Sequence, residues 1–85
     1  MKREEVLHEV QLAIQEHLSR DICGKQIVAD MPSQDDILAH IGMDSFDVLS
    51  VAVNLEQKFD VRADDEEWLT TLTVNDLVDV VMSKL

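Results

Sequence analysis

The segment IGMDSFDVLSVAVNLEQKFDV, residues 41–61, decides the fold of this chain. Its apolar residues recur at three- and four-residue spacing, which is typical of an amphipathic helix. The run VLSVAVNL is rich in β-branched residues and also fits a strand, but the helical spacing continues as far as Phe59. We therefore predict a helix from Ser45 to Phe59, with an inner side made of Leu49, Ala52, Leu55, Glu56 and Phe59.

Two further helices and one short helical turn surround this segment. Residues 3–19 carry apolar residues at helical spacing, and glutamates near their start complement the helix dipole. The last helix begins at Thr73, because Asp76 three residues later completes a capping pattern. A short helical turn at residues 66–70 is predicted to be anchored by Trp68 and Leu69.

A long connection, residues 20–44, joins the first two helices. Cys23 and Gly24 fall in the break after the first helix, and Gly24 is interpreted as its end signal. One short helical turn is predicted from Gln34 to His40, after Pro32 and Ser33. The residues expected to fasten this connection to the core are Ile27, Val28 and Met31.

These elements predict an all-α fold, a small bundle of three main helices plus one short helix with a long first loop. A chain of 85 residues is enough for one domain with little to spare, so residues 1–85 are taken as a single domain. The expected core lining consists of Val10, Ile14, Leu49, Leu55, Phe59, Leu72, Leu77 and Val81.

The composition excludes several classes of function. The chain has 18 acidic and 7 basic residues, and its net charge of -11 disfavours nucleic acids and anionic membranes as partners. Cys23 is the only cysteine, which excludes an intramolecular disulfide and a cysteine-based zinc cluster. The sequence shows no signal peptide and no membrane-spanning run, so we expect a cytoplasmic protein.

No metal site is predicted. The three histidines, His8, His17 and His40, are too scattered to form one, and those of the first helix are expected on its solvated flank. The acidic run at residues 64–67 suits divalent cations in charge, but it lacks the glycine and the terminal glutamate of an EF-hand. We interpret it as a solvated acidic loop.

Ser45 stands where the central helix begins, and two interpretations are open for it. Asp44 and Ser45 are residue types that cap helices, because their side-chain oxygens accept hydrogen bonds from otherwise unbonded N–H groups. A phosphate ester on Ser45 would also be favoured there by the helix dipole, with Gly42 giving the backbone freedom just before it. No Gly-x-Ser-x-Gly elbow surrounds Ser45, which argues against a hydrolase.

The same segment resembles the signature of acyl carrier proteins. The resemblance lies in Ile41-Gly42, in Asp44-Ser45-Phe46, and in the element Leu55-Glu56-Gln57-Lys58-Phe59 at the end of the helix. It continues through the acidic ADDEE and the LTVNDLVDVV of the last helix, and covers about residues 37–85. The first helix matches the family only in its apolar pattern.

The resemblance implies a non-catalytic carrier of acyl groups. In that family a serine hydroxyl takes 4′-phosphopantetheine from coenzyme A, and the thiol of this arm holds acyl groups as thioesters. Ser45 is then the attachment point, and Asp44 the contact for the magnesium-dependent phosphopantetheinyl transferase. The other implied partners are acyl-loading and acyl-accepting enzymes with basic or apolar docking patches, and a monomer is expected.

The helix after Ser45 is the predicted docking surface. Laid out at 3.6 residues per turn, its outer side presents a small apolar centre with flanking charges. The predicted docking residues are Phe46, Asp47, Ser50, Val53, Asn54 and Glu56.

Some positions depart from the family pattern. Phe46 replaces the usual leucine, and Ser50, Gln57 and Lys58 replace positions that are commonly acidic in fatty-acid carriers. These changes fit a carrier with dedicated partners in a fatty-acid, polyketide or other specialised acyl pathway. The alternative hypothesis is an acidic helical interaction module without a prosthetic group, which would bind a basic partner.

Overall fold

The computed structural model of the protein describes residues 2–85, with the backbone alone at residues 20–22. The described chain forms helices α1 (Arg3–Leu18), α2 (Ser45–Phe59), α3 (Asp65–Leu69) and α4 (Val74–Lys84), a 3₁₀-helix (Leu38–Ile41), and strands β1 (Arg20–Ile22) and β2 (Lys25–Ile27). The bundle of three main helices and one short helix is confirmed.

The core lies between α1, α2 and α4, with α1 packed against both of the other long helices. Each helix turns one stripe of small aliphatic side chains inward, as the three- and four-residue spacing requires. Full burial of each valine or leucine contributes roughly 1.5–3 kcal/mol. The three stripes are Val6, Val10, Ala13 and Ile14; Val48, Val51, Ala52 and Leu55; and Val74, Leu77, Val78 and Val81.

The side of α2 that faces the core is rotated by part of a helical turn from the predicted side. Val48 and Val51 are buried, whereas Leu49 and Phe59 are only half-buried at the edge of the core. The prediction for Leu72 is wrong, because this side chain is 68% exposed. The Leu72 carbonyl accepts a hydrogen bond from the amide of Leu38, and this backbone contact fixes a path that turns the side chain outward.

The long connection contains an antiparallel β-hairpin that the sequence analysis missed. β1 pairs with β2 across a turn made of Cys23 and Gly24, whose φ angles of 51° and 79° are both positive. Two positive φ angles are what a two-residue type I′ turn requires. Gly24 therefore serves this turn and does not end the first helix, which finishes at Leu18.

Hydrogen bonds from α1 hold the rest of the connection. The side-chain amide of Gln11 donates to the Pro32 carbonyl at 2.9 Å, and that of Gln15 donates to the Ala29 carbonyl at 3.0 Å. The apolar residues expected in this role, Ile27, Val28 and Met31, are all exposed, so that prediction is wrong. Two polar side chains do this work because the connection runs over the surface, where its carbonyls need donors.

The predicted turn at Gln34–His40 is displaced toward the C-terminus. Ser33 and Asp36 exchange hydrogen bonds in a tight turn, but no helix follows them directly. Helical structure begins at Leu38, which is buried and anchors the 3₁₀-helix to the core.

Trp68 attaches α3 to the core. An isolated helix of five residues is far too short to be stable in water. Trp68 is 1% exposed and belongs to the main core cluster, which confirms its predicted role as an anchor. The same prediction for Leu69 is wrong, because this side chain is exposed. The prediction for Asp64–Glu67 is modified, because Asp65, Glu66 and Glu67 form the first turn of α3 and are not a loop.

We predict that Asp76 stabilises the start of α4 and does so only when it is ionised. Its carboxylate accepts hydrogen bonds from the amides of Leu72 and Thr73, at 2.8 and 3.0 Å. These bonds, the one from Leu72 first, hold the pKa of Asp76 below its ordinary value of 3.8. A lowered carboxyl pKa adds stability above pH 3.8, and that stability is lost as the pH falls through the lowered value. Asp76→Ala should lower the free energy of unfolding by about 0.5–2 kcal/mol at pH 7.

Urea unfolding at pH 7 and at pH 3 measures this effect. The difference between wild type and Asp76→Ala should shrink at the lower pH. Asp79→Ala on the same helix is the control, since it removes only an exposed ion pair with Arg3. An equal loss in both variants at pH 7 would contradict the prediction.

Candidate functional site

A reciprocal capping box starts α2. Asp44 is the N-cap, and its Oδ1 accepts a hydrogen bond from the amide of Asp47 at 2.9 Å. In return, Oδ2 of Asp47 accepts a hydrogen bond from the amide of Asp44 at 3.0 Å. Each carboxylate thus binds the amide of the other residue across the first turn. Ser45 lies between the two residues and is the first helical residue.

Gly42 and Met43 bring the chain into this cap. Gly42 ends the 3₁₀-helix with φ 89° and ψ 16°, a left-handed conformation that other residues adopt only with strain. The buried Met43 side chain anchors the next position to the core, and its amide donates to the Leu38 carbonyl at 3.0 Å. This anchored bend turns the following residues back toward the surface.

Ser45 is exposed, and the N–H groups beside it are suited to an anion. No hydrogen bond within the described part of the chain uses the amides of Ser45 or Phe46. Unbonded N–H groups and the positive end of the helix dipole both favour negative charge at this position. The start of α2 therefore fits a phosphate ester on the serine hydroxyl.

Asp47 also contacts α1. Its Oδ1 lies 2.7 Å from Nε2 of His17, and both side chains are only partly exposed. The pKa of Asp47 is lowered first by the hydrogen bond from His17 and then by the one from the amide of Asp44. His17 is predicted on the solvated flank of its helix, and nothing in its spacing indicates a contact with a residue 30 positions away.

The predicted docking residues of α2 differ in exposure. Phe46, Val53 and Asn54 are exposed, and Asp47, Ser50 and Glu56 are half-buried. Phe46 is 76% exposed and Val53 54% exposed. Val53 borders two shallow concavities of the surface, one toward Ser50 and Asn54 and the other toward Arg62. Charged side chains also line both concavities, Lys58 in the first and Glu56, Asp60 and Arg62 in the second.

Two of the predicted docking residues have structural contacts of their own. The carboxylate of Asp47 is shared between the cap and His17, as described above. The carboxylate of Glu56 accepts a hydrogen bond from the amide of Ala63 at 3.1 Å, and so holds the loop that follows α2. The carboxylates that flank the apolar centre are therefore partly used in hydrogen bonds to other parts of the chain.

The described residues contain no arrangement typical of a metal centre or a membrane span. No group of three or more His, Cys, Asp and Glu side chains among them is placed to hold a metal ion. No described helix is both long enough and apolar enough to cross a bilayer.

Comparison with known proteins identifies the family of this chain. Residues 14–81 match the family described as "Phosphopantetheine attachment site". The acyl carrier protein of Exiguobacterium sp. strain AT1b is 35% identical over the full length of both chains. The chain belongs to the acyl carrier protein family.

Further relatives agree with this membership. The acyl carrier protein of Exiguobacterium sibiricum is 31% identical over the whole of both chains. The crystal structure of an acyl carrier protein from Thermotoga maritima superimposes with a TM-score of 0.75 at 26% identity, covering 99% of this chain and 91% of that one. The protein is thus a non-catalytic carrier of acyl groups, and its prosthetic group is 4′-phosphopantetheine.

We predict that Gly42 is required for the geometry at the start of α2. A Cβ at position 42 would meet no atom within 4 Å, so Gly42→Ala introduces backbone strain without a clash. The expected loss of stability is roughly 1–2 kcal/mol, with shifted amide resonances at Asp44 and Ser45 in ¹⁵N–¹H spectra.

Gly24→Ala is the matched control, since Gly24 has a similar φ of 79° and equally open surroundings in the hairpin turn. It should cost similar stability and leave the resonances of Asp44 and Ser45 in place. Identical spectral changes in the two variants would show that Gly42 has no particular role in the cap.

Proposed function

We propose that Ser45 carries the 4′-phosphopantetheine arm. The observation that supports this most directly is its position, exposed at the first residue of α2 beside two amides that no described residue binds. The only other serine of α2, Ser50, lies inside the helix, where its neighbouring amides are used by the helix itself. Ser45 also occupies the serine position of the family signature quoted above.

The transfer reaction forms one bond at Ser45 and breaks one bond in coenzyme A. The hydroxyl oxygen of Ser45 bonds to the phosphorus that bears pantetheine. The pyrophosphate bond of coenzyme A breaks, adenosine 3′,5′-bisphosphate leaves with the electron pair, and the serine proton passes to the transferase or to water. The thiol of the arm supplies the thioester chemistry that the lone, exposed Cys23 has no setting for.

Asp44 is proposed to contact the magnesium of the transferase. One of its oxygens, Oδ1, is used in the cap, and Oδ2 makes no hydrogen bond to any described residue. A carboxylate oxygen at the surface, one residue from the hydroxyl, is a ligand that Mg²⁺ prefers. The cap and the metal contact thus use different atoms of one side chain.

We propose the outer face of α2 as the docking surface for the transferase and for acyl-loading and acyl-accepting enzymes. A transient interface needs a small apolar centre, and Phe46 and Val53 provide one on the helix that starts with Ser45. Asp47, Ser50, Asn54 and Glu56 complete the predicted surface. Because Asp47 and Glu56 are partly committed to internal contacts, recognition here depends more on apolar contact than on charge.

Further proposals concern the domain organisation, the oligomeric state, the partners and the location of the protein. The continuous core from α1 to α4 supports residues 1–85 as a single domain. A net charge of -11 opposes self-association and supports a monomer that binds neither nucleic acids nor membranes. We propose that it works in the cytoplasm, in a fatty-acid, polyketide or other acyl pathway with dedicated partners. Family membership disfavours the alternative of an interaction module without a prosthetic group.

Ser45→Ala should abolish modification without unfolding the protein. The test incubates the apo-protein with coenzyme A, Mg²⁺ and a broad-specificity phosphopantetheinyl transferase, and follows intact mass. Wild type should gain one arm and Ser45→Ala none. Because Asp44 remains as the cap, stability should fall by no more than about 0.5–2 kcal/mol.

Two control variants sharpen this test. Ser83→Ala, at an exposed serine of α4 outside the proposed docking surface, should gain the arm like the wild type. Asp44→Asn should keep the cap, since asparagine caps helices as well as aspartate does, but should slow the transfer by removing the charge. Full modification of Ser45→Ala would refute the assignment.

Removing the apolar centre of α2 should weaken docking. Phe46→Ala and Val53→Ala are expected to raise KM for the carrier in the transferase assay by about tenfold or more each, the effect of losing an interface anchor. Their thermal stability should stay near wild type, since both side chains are exposed.

Matched controls are available elsewhere on the surface. Leu72 is 68% exposed and Val28 61% exposed, and neither lies on α2. Leu72→Ala and Val28→Ala should leave KM unchanged. If the control variants raise KM as much as Phe46→Ala and Val53→Ala do, the docking surface extends beyond α2 and the proposal fails.

A further inference from the structure

One side chain from α1 reaches the cap that holds Ser45. His17, in the last turn of α1, places Nε2 2.7 Å from Oδ1 of Asp47. The other oxygen of that carboxylate binds the amide of Asp44, at 3.0 Å. A single carboxylate therefore joins the end of α1 to the residue that directly precedes Ser45.

His17 is the donor in this contact at neutral pH. An aspartate is ionised there, and a carboxylate without a proton can only accept. The hydrogen bond from His17 in turn lowers the pKa of Asp47. The carboxylate group of an aspartate can rotate about its Cβ–Cγ bond. A hydrogen bond to only one of its two oxygens does not fix that rotation. With His17 on one oxygen and the Asp44 amide on the other, its plane is fixed.

A second helix of the protein has a comparable anchor. At α3, Oε2 of Glu67 accepts from the amide of the N-cap Asp64 at 2.9 Å, while Oε1 lies 2.9 Å from Nζ of Lys84 on α4. In both places the acid at the third helical position binds the cap amide with one oxygen and a side chain of another helix with the other. Only the anchor at α2 lies beside Ser45.

We propose that His17 is a positioning residue for the transfer of phosphopantetheine to Ser45. It touches neither Ser45 nor the reacting phosphorus. It holds Asp47, which holds the backbone of Asp44, and this fixes the direction in which the Ser45 hydroxyl leaves the helix. The inference rests on the proposed attachment at Ser45, and it adds a contribution from α1, an element outside the docking surface.

The test compares variants at His17 in the transferase assay. His17→Ala should lower kcat/KM by about threefold to tenfold, the range expected for losing one hydrogen bond of ordinary net strength. The loss should lie mainly in kcat, because Phe46 and Val53, the apolar centre of the docking surface, are unchanged. Amide resonances of Asp44, Ser45 and Asp47 should shift in ¹⁵N–¹H spectra.

His17→Gln separates positioning from general stability. The glutamine amide can donate to Asp47 from a similar distance, so this variant should recover most of the lost kcat. Lys84→Ala is the matched control, because it removes the equivalent anchor at α3 and should leave kcat unchanged at a similar cost in stability. Circular dichroism melting checks that every variant remains folded.

The outcomes discriminate between the two proposals. Modification of Ser45→Ala in the same assay would overturn the attachment site itself. If Ser45→Ala stays unmodified and His17→Ala works at the wild-type kcat, the role of His17 is overturned and the attachment site stands. A His17→Gln variant as slow as His17→Ala, or a Lys84→Ala variant that is equally slow, would also overturn the role of His17.

Discussion

The reciprocal hydrogen bonds between Asp44 and Asp47 are the contact on which the rest of this structure depends. They fix where α2 begins and keep Ser45 in its first turn, while the spacing of the apolar residues sets which side chains turn inward. Beginning at Ser45, the helix buries Val48, Val51, Ala52 and Leu55 and leaves Ser45, Phe46 and Val53 exposed. One side of α2 thus packs in the core, and the opposite side carries the proposed functional surface.

The acidic excess of the chain has an internal use as well as an external one. Asp44 and Asp47 close the start of α2, Asp76 closes the start of α4, and Glu67 binds the cap amide of α3. Short helices joined by long connections have many unbonded N–H groups at their ends, and carboxylates satisfy them. Several carboxylates are therefore used in hydrogen bonds within the protein. Partner enzymes meet fewer free carboxylates than the net charge of -11 indicates.

The core is aliphatic, apart from one large aromatic anchor. Trp68 fastens the short helix α3 to the long helices, and it is the one residue of that helix that is buried. Its indole nitrogen is buried without a hydrogen-bond partner among the described residues, which costs stability of the order of 1–3 kcal/mol. The area that the ring buries compensates for this cost and keeps α3 in place.

The sequence by itself determined the three long helices and the cap of α4, and its resemblance to acyl carrier proteins indicated the family. The spacing of apolar residues and the capping pattern at Thr73 depend only on local geometry, so α1, α2 and α4 were predicted with nearly their observed bounds. The position of Ser45 at a helix start is local in the same sense.

Tertiary structure decided the rest. The Cys23–Gly24 hairpin was missed because its turn lacks the usual asparagine or aspartate. Leu72 turned outward because its carbonyl binds Leu38, and His17 reached Asp47 only because α1 packs against α2. Each of these depends on contacts between residues distant in sequence, which periodicity does not encode.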